Sequence, residues 1–334
     1  MAQASSLTFP KSSSTPGEGK IVTKILPSGR HGLEAIAYQY PLKLISPTSS
    51  IGGQKSALVF LLSYGGGLVA GDAINLTIRV QSKANLSLVT QGHTKVFKSS
   101  SPDVVTRQSM TVTVDQAAAV CLLPDPVQPF QDSVYTQTQI FKVKTGASVC
   151  LLDWVTAGRT ARGENWSFIK FVGRNEVWLR GDGPSQSDRL LVRDTVNLSR
   201  DGPRAVDQLL CETMHNLGVF GTLILRGPVL RTLGEFFIAE FDALPRLGAR
   251  DFRTHQARDE DSKQMTESAK WRARRLAYEE KEGVLWSAAR VRKCVIVKFG
   301  APTVEAGREW IGSMLVREGT IQSHFGEEAL LCVK

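Results

Sequence analysis

The sequence predicts a mainly β protein that gains a few α-helices in its C-terminal third. Three observations carry that expectation. Apolar and polar residues alternate along residues 74–81 and again along 104–114, the two-residue period of a half-buried strand. Runs of this kind recur between clusters of Gly, Pro, Asn, Asp and Ser as far as residue 198, giving short strand after short strand. Past Gly202 the period changes, and Val206, Leu209, Leu210, Thr213, Met214 and Leu217 fall on a helical stripe.

Taken in order, residues 1–20 are rich in Ser with Pro and Gly and read as a disordered leader. Residues 21–45 read as short strands with turns at Pro27-Ser28-Gly29 and at Pro47. The apolar run 57–62 is of buried-strand type, and Gly65-Gly66-Gly67 and Gly71-Asp72 follow it. Glycine-rich loops cradle phosphate at helix N-termini, but a strand follows here and GxxxxGK[ST] is absent. A tight turn needing positive φ is therefore favoured, with Asp72 either capping it or projecting into a functional space. Ile74, Leu76, Ile78 and Val80 then share one strand face, Leu86 and Leu88 continue the pattern, and Thr90-Gln91-Gly92-His93-Thr94-Lys95 closes the stretch.

Residues 104–114 place Met110, Val112 and Val114 together, and 117–123 is a buried run. Pro124, Pro126 and Pro129 stiffen 123–130 into a loop, closed to helix and to central strand. Strands are expected at 135–144, 148–156, 167–172, 177–180 and 190–198, completing a β body over 21–200. The remainder, 201–334, is mixed. It holds a helix stopped by Gly218, a strand at 219–225, a helix at 230–241, a charged insert at 250–282, and a strand at 294–299. A final helix opens at Pro302, carries Glu305 early and Arg317 late, buries Trp310, Ile311, Met314 and Leu315, and stops at Gly319.

Composition narrows the function. The 334 residues are 42% hydrophobic, enough for one large domain, read here as a single unit over 21–334. No apolar run approaches the ~20 residues of a membrane helix, and the N-terminus lacks the apolar core of a secretory signal. Five widely spaced cysteines make no disulfide framework, so a reducing cytoplasm is expected. The net charge of +9 raises nucleic acid or acidic partners. Much of it lies in residues 250–293, but Asp259-Glu260-Asp261 and Glu279-Glu280 are interleaved, which favours a solvated helix with salt-bridge pairs over a nucleic-acid module.

Catalytic signals are sparse. Cys211 and His215, four apart, would share a helix face able to hold a metal, though their place beside the apolar stripe favours packing. His31, His93, His255 and His324 stand apart from one another. Asp153 with Arg159 and Glu164 would suit acid–base chemistry in a β-rich enzyme; a carboxylate paired with Arg159 for structure is favoured over it.

Four segments in order resemble the UreD/UreH family of urease accessory proteins: Gly65–Gly67 through Gly71-Asp72; residues 90–95; Leu122-Leu123-Pro124-Asp125-Pro126 with Phe130-Gln131-Asp132; and Leu152-Asp153-Trp154 through Gly158-Arg159 to Gly163-Glu164. Residues 286–292 and 330–334 resemble eukaryotic members. The resemblance implies a β-helix-like stack of many strands, and a non-enzymatic scaffold that joins a UreF-type protein and a UreG-type GTPase to apo-urease. It also implies a tunnel carrying Ni²⁺ in transit, with no tightly bound cofactor. By the same resemblance, Asp72, Thr94, Lys95, Asp153, Arg159 and Glu164 are candidate tunnel or scaffold positions. His93, where many members have a small residue, would add a transient ligand or narrow the passage.

Overall fold

The computed structural model describes residues 15–47, 55–181, 183, 186–200, 210–245 and 266–334. Its frame is two facing sheets wound by one chain that alternates between them. β4 (Ala57–Ser63), β6 (Asn85–Val89), β9 (Ala119–Leu122) and β12 (Ser148–Thr156) stack in parallel in one sheet. The strands between them, β5 (Ala73–Val80), β8 (Thr106–Val114), β11 (Val134–Val143) and β13 (Lys170–Leu179), stack in parallel in the other. Each coil thus adds one strand to each sheet, the winding of a β-helix. The mainly β, β-helix-like expectation is borne out.

Antiparallel strands finish both sheets. β1 (Glu18–Ile25) lies parallel to β5 and carries β2 (His31–Tyr38) at the edge, while β14 (Arg189–Ser199) covers the far side of β13. In the other sheet β3 (Leu42–Ile45) pairs with β4, and β15 (Val219–Arg226), β17 (Cys294–Ala301) and β16 (Leu285–Val291) extend outward from β12. Strand β1 takes in Glu18, Gly19 and Lys20, three residues that the sequence reading assigned to the leader. Residues 1–14 lie outside the described residues.

The alternation of β5 follows from this winding. Ile74, Leu76, Ile78 and Val80 are buried between the sheets and their neighbours are exposed. In-register stacking places Ile78 beside Val112, Val112 beside Phe141 and Phe141 beside Val177, a continuous apolar row. A second core lies on the outer face of the β12–β15–β17 sheet, where Leu152, Trp154, Leu223, Val297 and Phe299 meet the helices. These are α2 (Arg231–Asp242), α3 (Glu267–Glu282), α4 (Val304–Glu318) and α5 (Thr320–Phe325), after a single turn, α1 (Leu210–Thr213).

The structure departs from the sequence reading at further places, and adds the strands β7 (Thr94–Val96) and β16, which that reading left unassigned. The proline loop contains a short strand, β10 (Val127–Pro129), parallel to β7 (Thr94–Val96) and touching β12 at Val127. Pro129 is tolerated at its end, since the Phe130 N–H reaches Val96 O (2.9 Å). Residues 173–176, read as a break, continue β13. The helix expected to reach Leu217 is only α1 among the described residues, because His215 and Asn216 take positive φ (49° and 64°); Cys211 and His215 therefore share no helix face. Helix α3 is not simply solvated: Arg275 is 4% exposed and bonds Glu240 (3.2 Å) and Glu279 (2.5 Å). The part of the charged insert before residue 266 lies outside the described residues, as does His255. Thr303, not Pro302, caps α4, accepting the Ala306 N–H (3.1 Å). And α4 is not the last helix, since α5 follows Gly319.

Gly312 marks where α4 meets the C-terminal tail. A Cβ there would lie 1.8 Å from Val333 O. Gly312→Ala is expected to lower stability by about 1–3 kcal/mol despite its better helix propensity, a loss read by chemical denaturation. Stability at or above wild type would mean that the tail is not seated on α4.

Candidate functional site

The segment 90–95 and the proline loop come together at one end of the winding. Asp125, 6% exposed, organises them. Its Oδ2 accepts from Thr90 Oγ1 (3.0 Å) and the Gly92 N–H (2.8 Å), its own N–H donates to Thr90 Oγ1 (2.7 Å), and its Oδ1 accepts from Arg308 of α4 (2.9 Å). Around them opens a groove of about 720 Å³ bordered by Phe60, Leu62, His93, Lys95 and Leu331. A smaller recess of about 210 Å³ lies between Tyr64, Gly65, Gly66, His93 and Thr94. His93 borders both. Burial holds its imidazole below the usual range, with Asp125 pulling the other way.

Behind this mouth a cavity enters between the sheets. Thr90, Thr94 and Asp125 line one part of it, and Gln108, Gln137, Gln139 and Asp153 line another, with Leu76, Met110 and Leu122 as apolar walls. It leaves about 60 Å³ for water centres, room for roughly four waters. Asp153 lies on the inner face of β12, in phase with the buried Val149, Leu151 and Val155. Its Oδ1 accepts from Gln137 (2.9 Å) and its Oδ2 from Asn175 (2.6 Å). Gly173 stands opposite, where a Cβ would come within 3.3 Å of Asp153 Oδ2.

The polar row continues beyond Asp153. Gln139 donates to Asn175 (3.1 Å), and Asn175 is in register with Asp194 on β14. In the opposite sheet Thr222 is in register with Asp153, and Lys298 with Thr222. Thr222 (3.1 Å) and Lys298 (2.6 Å) both donate to Asp194. Polar side chains from both sheets thus run from the Asp125 mouth, past Asp153, to the Asp194–Lys298 ion pair.

The other sequence-derived positions have separate places. Asp72 caps the glycine turn: its Oδ2 accepts the Val69 N–H (2.8 Å), while Gly65, Gly66 and Gly71 supply the positive φ that the turn needs. Lys95 is exposed at the groove rim. Arg159 pairs with the buried Glu164 through Nε (2.9 Å), Nη2 and its backbone N–H (2.8 Å), and its guanidinium sits 3.8 Å from the Phe130 ring centre. That pair locks a loop. Asp153 has different partners, so the three residues of the enzyme reading are not assembled into one constellation. The basic segment is likewise occupied, with Arg272 and Arg275 both bound to Glu240. No group of three or more His, Cys, Asp or Glu able to hold a metal occurs among the described residues.

Gln137, Gln139, Asn175, Asp194, Lys298 and Arg308 escape a motif-based reading. A signal for three of them is present: Gln137 and Gln139 fall in phase with Phe141 and Val143, and Asn175 with Val177, so strand phase alone points them inward.

Burial raises the Asp153 carboxyl above its usual range, outweighing the two amide donors. Such a group costs stability above its folded value and recovers it as pH falls toward the unfolded value of about 4. Wild type is expected to gain stability relative to Asp153→Asn as pH drops from neutrality through the raised value, which denaturation at a series of pH values checks. A difference that does not change with pH, or that changes in the opposite sense, counts against a charge-penalised Asp153.

The comparisons agree on one family. The profile described as "UreD urease accessory protein" matches residues 17–330. A Schizosaccharomyces pombe protein, "Uncharacterized urease accessory protein ureD-like", is 32% identical over 274 residues, covering 82% of this chain and 84% of its own. "Urease accessory protein 4" of Cryptococcus neoformans is 29% identical, covering 84% of each chain. "Urease accessory protein UreD" of Sorangium cellulosum is 34% identical, covering 67% of this chain and 65% of its own. With most of its length matched by the profile and by these relatives, the chain belongs to the UreD family of urease accessory proteins.

Proposed function

We propose that this protein acts in urease maturation as a non-catalytic cytoplasmic scaffold that conducts Ni²⁺ toward the urease active site. In this reading it bridges apo-urease to a UreF–UreG-type complex. Family membership supports the maturation role. The observation that carries the conduction reading is the polar row through the apolar sandwich, with the half-buried Asp153 at its centre.

The chemistry suits a cargo that must pass and not stay. The lining of Thr90, Thr94, Asp125, Gln137, Gln139 and Asp153 offers hard oxygen donors and no thiolate or imidazole cage. A dication leaving water needs compensation. The cavity has room for water that would supply part of it, and the Asp153 carboxylate would supply negative charge among neutral amides and hydroxyls. His93 at the mouth would serve as a transient first ligand, and Asp72, Arg159 and Glu164 as supports for the loops. No helix among the described residues is long and apolar enough to cross a membrane.

The test is reconstitution. Asp153→Ala is expected to fold and to co-purify with UreF- and UreG-type partners, yet to lower nickel loading of apo-urease about tenfold or more, in line with the loss of one charge-stabilising contact. Asp72→Ala is expected to lose some stability in its turn and to load normally once folded. Normal loading by Asp153→Ala would sink the conduction reading, and absence of a partner complex with the wild-type chain would sink the scaffold reading.

A further inference from the structure

A second concave site lies on the helical side, away from the polar row. It has a volume of about 440 Å³ and forms where the end of β15, the start of α2 and the β16–β17 turn converge. Four cations line it: Arg226, Arg231, Arg290 and Lys293. One acid, Glu235, is present, and it is bonded to Arg290 (2.6 Å). Arg231 and Lys293 have no ion-pair partner among the described residues. The floor is apolar, formed by Leu225, Leu230 and Val295.

Two features make this more than a charged surface. Arg226 is half-buried, and its Nη1 donates to Ala147 O (3.2 Å), but its Nε is buried with no partner. An unpaired buried donor on a cation is costly unless an acceptor arrives. Lys293 is also held at a price, since the β16–β17 turn places Arg292 and Lys293 at φ 45° and 68°, a turn normally given to Asn-Gly. Burial disfavours the charged form of Arg226, against a smaller opposing effect of Cys294.

We propose that this site binds a phosphate-type oxyanion, free or carried on a nucleotide. Guanidinium forks match the geometry of phosphate oxygens, and a lysine adds a mobile point charge. The volume exceeds that of one phosphate, and the apolar floor would accept the uncharged part of a larger ligand.

The test is calorimetric titration of the full-length protein at low ionic strength with inorganic phosphate, pyrophosphate and GTP, repeated on the Arg231→Gln/Lys293→Asn double variant. Both positions are exposed, and asparagine accepts the left-handed turn. Saturable binding weakened about tenfold or more in the double variant, with an unchanged melting temperature without ligand, is the expected result. Pyrophosphate binding as tightly as GTP identifies a free anion, and tighter GTP binding identifies a nucleotide. No saturable binding of any of the three, or binding equal in wild type and double variant, overturns the proposal.

Discussion

Parallel in-register stacking is the constraint on which the rest depends. In a wound β-sheet each inward residue lies beside its counterpart in the next coil, so chemistry is shared along a row. The Ile78–Val112–Phe141–Val177 row satisfies this with hydrocarbon. The row starting at Leu76 and Met110 does not, because it turns to Gln139, Asn175 and Asp194. A single inward amide would leave donors unpaired between two apolar faces. Here the amides bond each other and Asp153, and the opposite sheet answers with Thr222 and Lys298. The polar row is therefore a property of both sheets at once, and no single residue of it could be introduced alone.

This arrangement is a poor way to gain stability. A carboxylate between sheets pays a desolvation penalty that two neutral amides only partly offset, and an apolar residue of similar size would pack there without that penalty. Gly173 gives up side-chain packing on the facing strand and so leaves Asp153 room. Polar groups kept at the expense of packing, beside a cavity with room for water, mark a candidate functional site. The Arg159–Glu164 pair shows the contrast: it is a buried carboxylate with a direct cation partner, and it serves a loop.

Much of the fold was legible in the residues, since strand phase at Ile74–Val80 and Met110–Val114 survives any tertiary arrangement that buries one face. What was not legible had physical causes. Gly173-Arg174-Asn175-Glu176 reads as a break because Gly and Asn disfavour strands locally, yet ten residues of parallel pairing with β11 hold them extended. Val127–Pro129 reads as pure loop because proline cannot donate, and the two neighbouring coils nonetheless supply a ladder. The helix through Cys211 and His215 fails because local periodicity says nothing of the two left-handed residues that end it. Of the site, Asp153 was visible through its motif, but Asp194 and Lys298 become its neighbours only through β14, β15 and β17, long-range pairings that no local pattern encodes.

The mouth of the cavity depends on the helical layer as much as on the winding. Asp125 belongs to the proline loop and Thr90 to the turn after β6, but the cation that satisfies Asp125 is Arg308, on α4. Cys332, in the tail that seats on α4, bonds Thr90 O (3.4 Å) from the other side. α4 is in turn fixed to α3 by Trp310, whose indole N–H donates to Glu279 (2.7 Å), and through Glu279 to Arg275 and Glu240. Removing one partner from such a buried charged chain leaves the next one uncompensated. The polar contacts at the mouth thus continue, through α4, into a network whose far members lie on α2 and α3. The position of the helices on the outer face of one sheet sets the shape of an opening into its inner face.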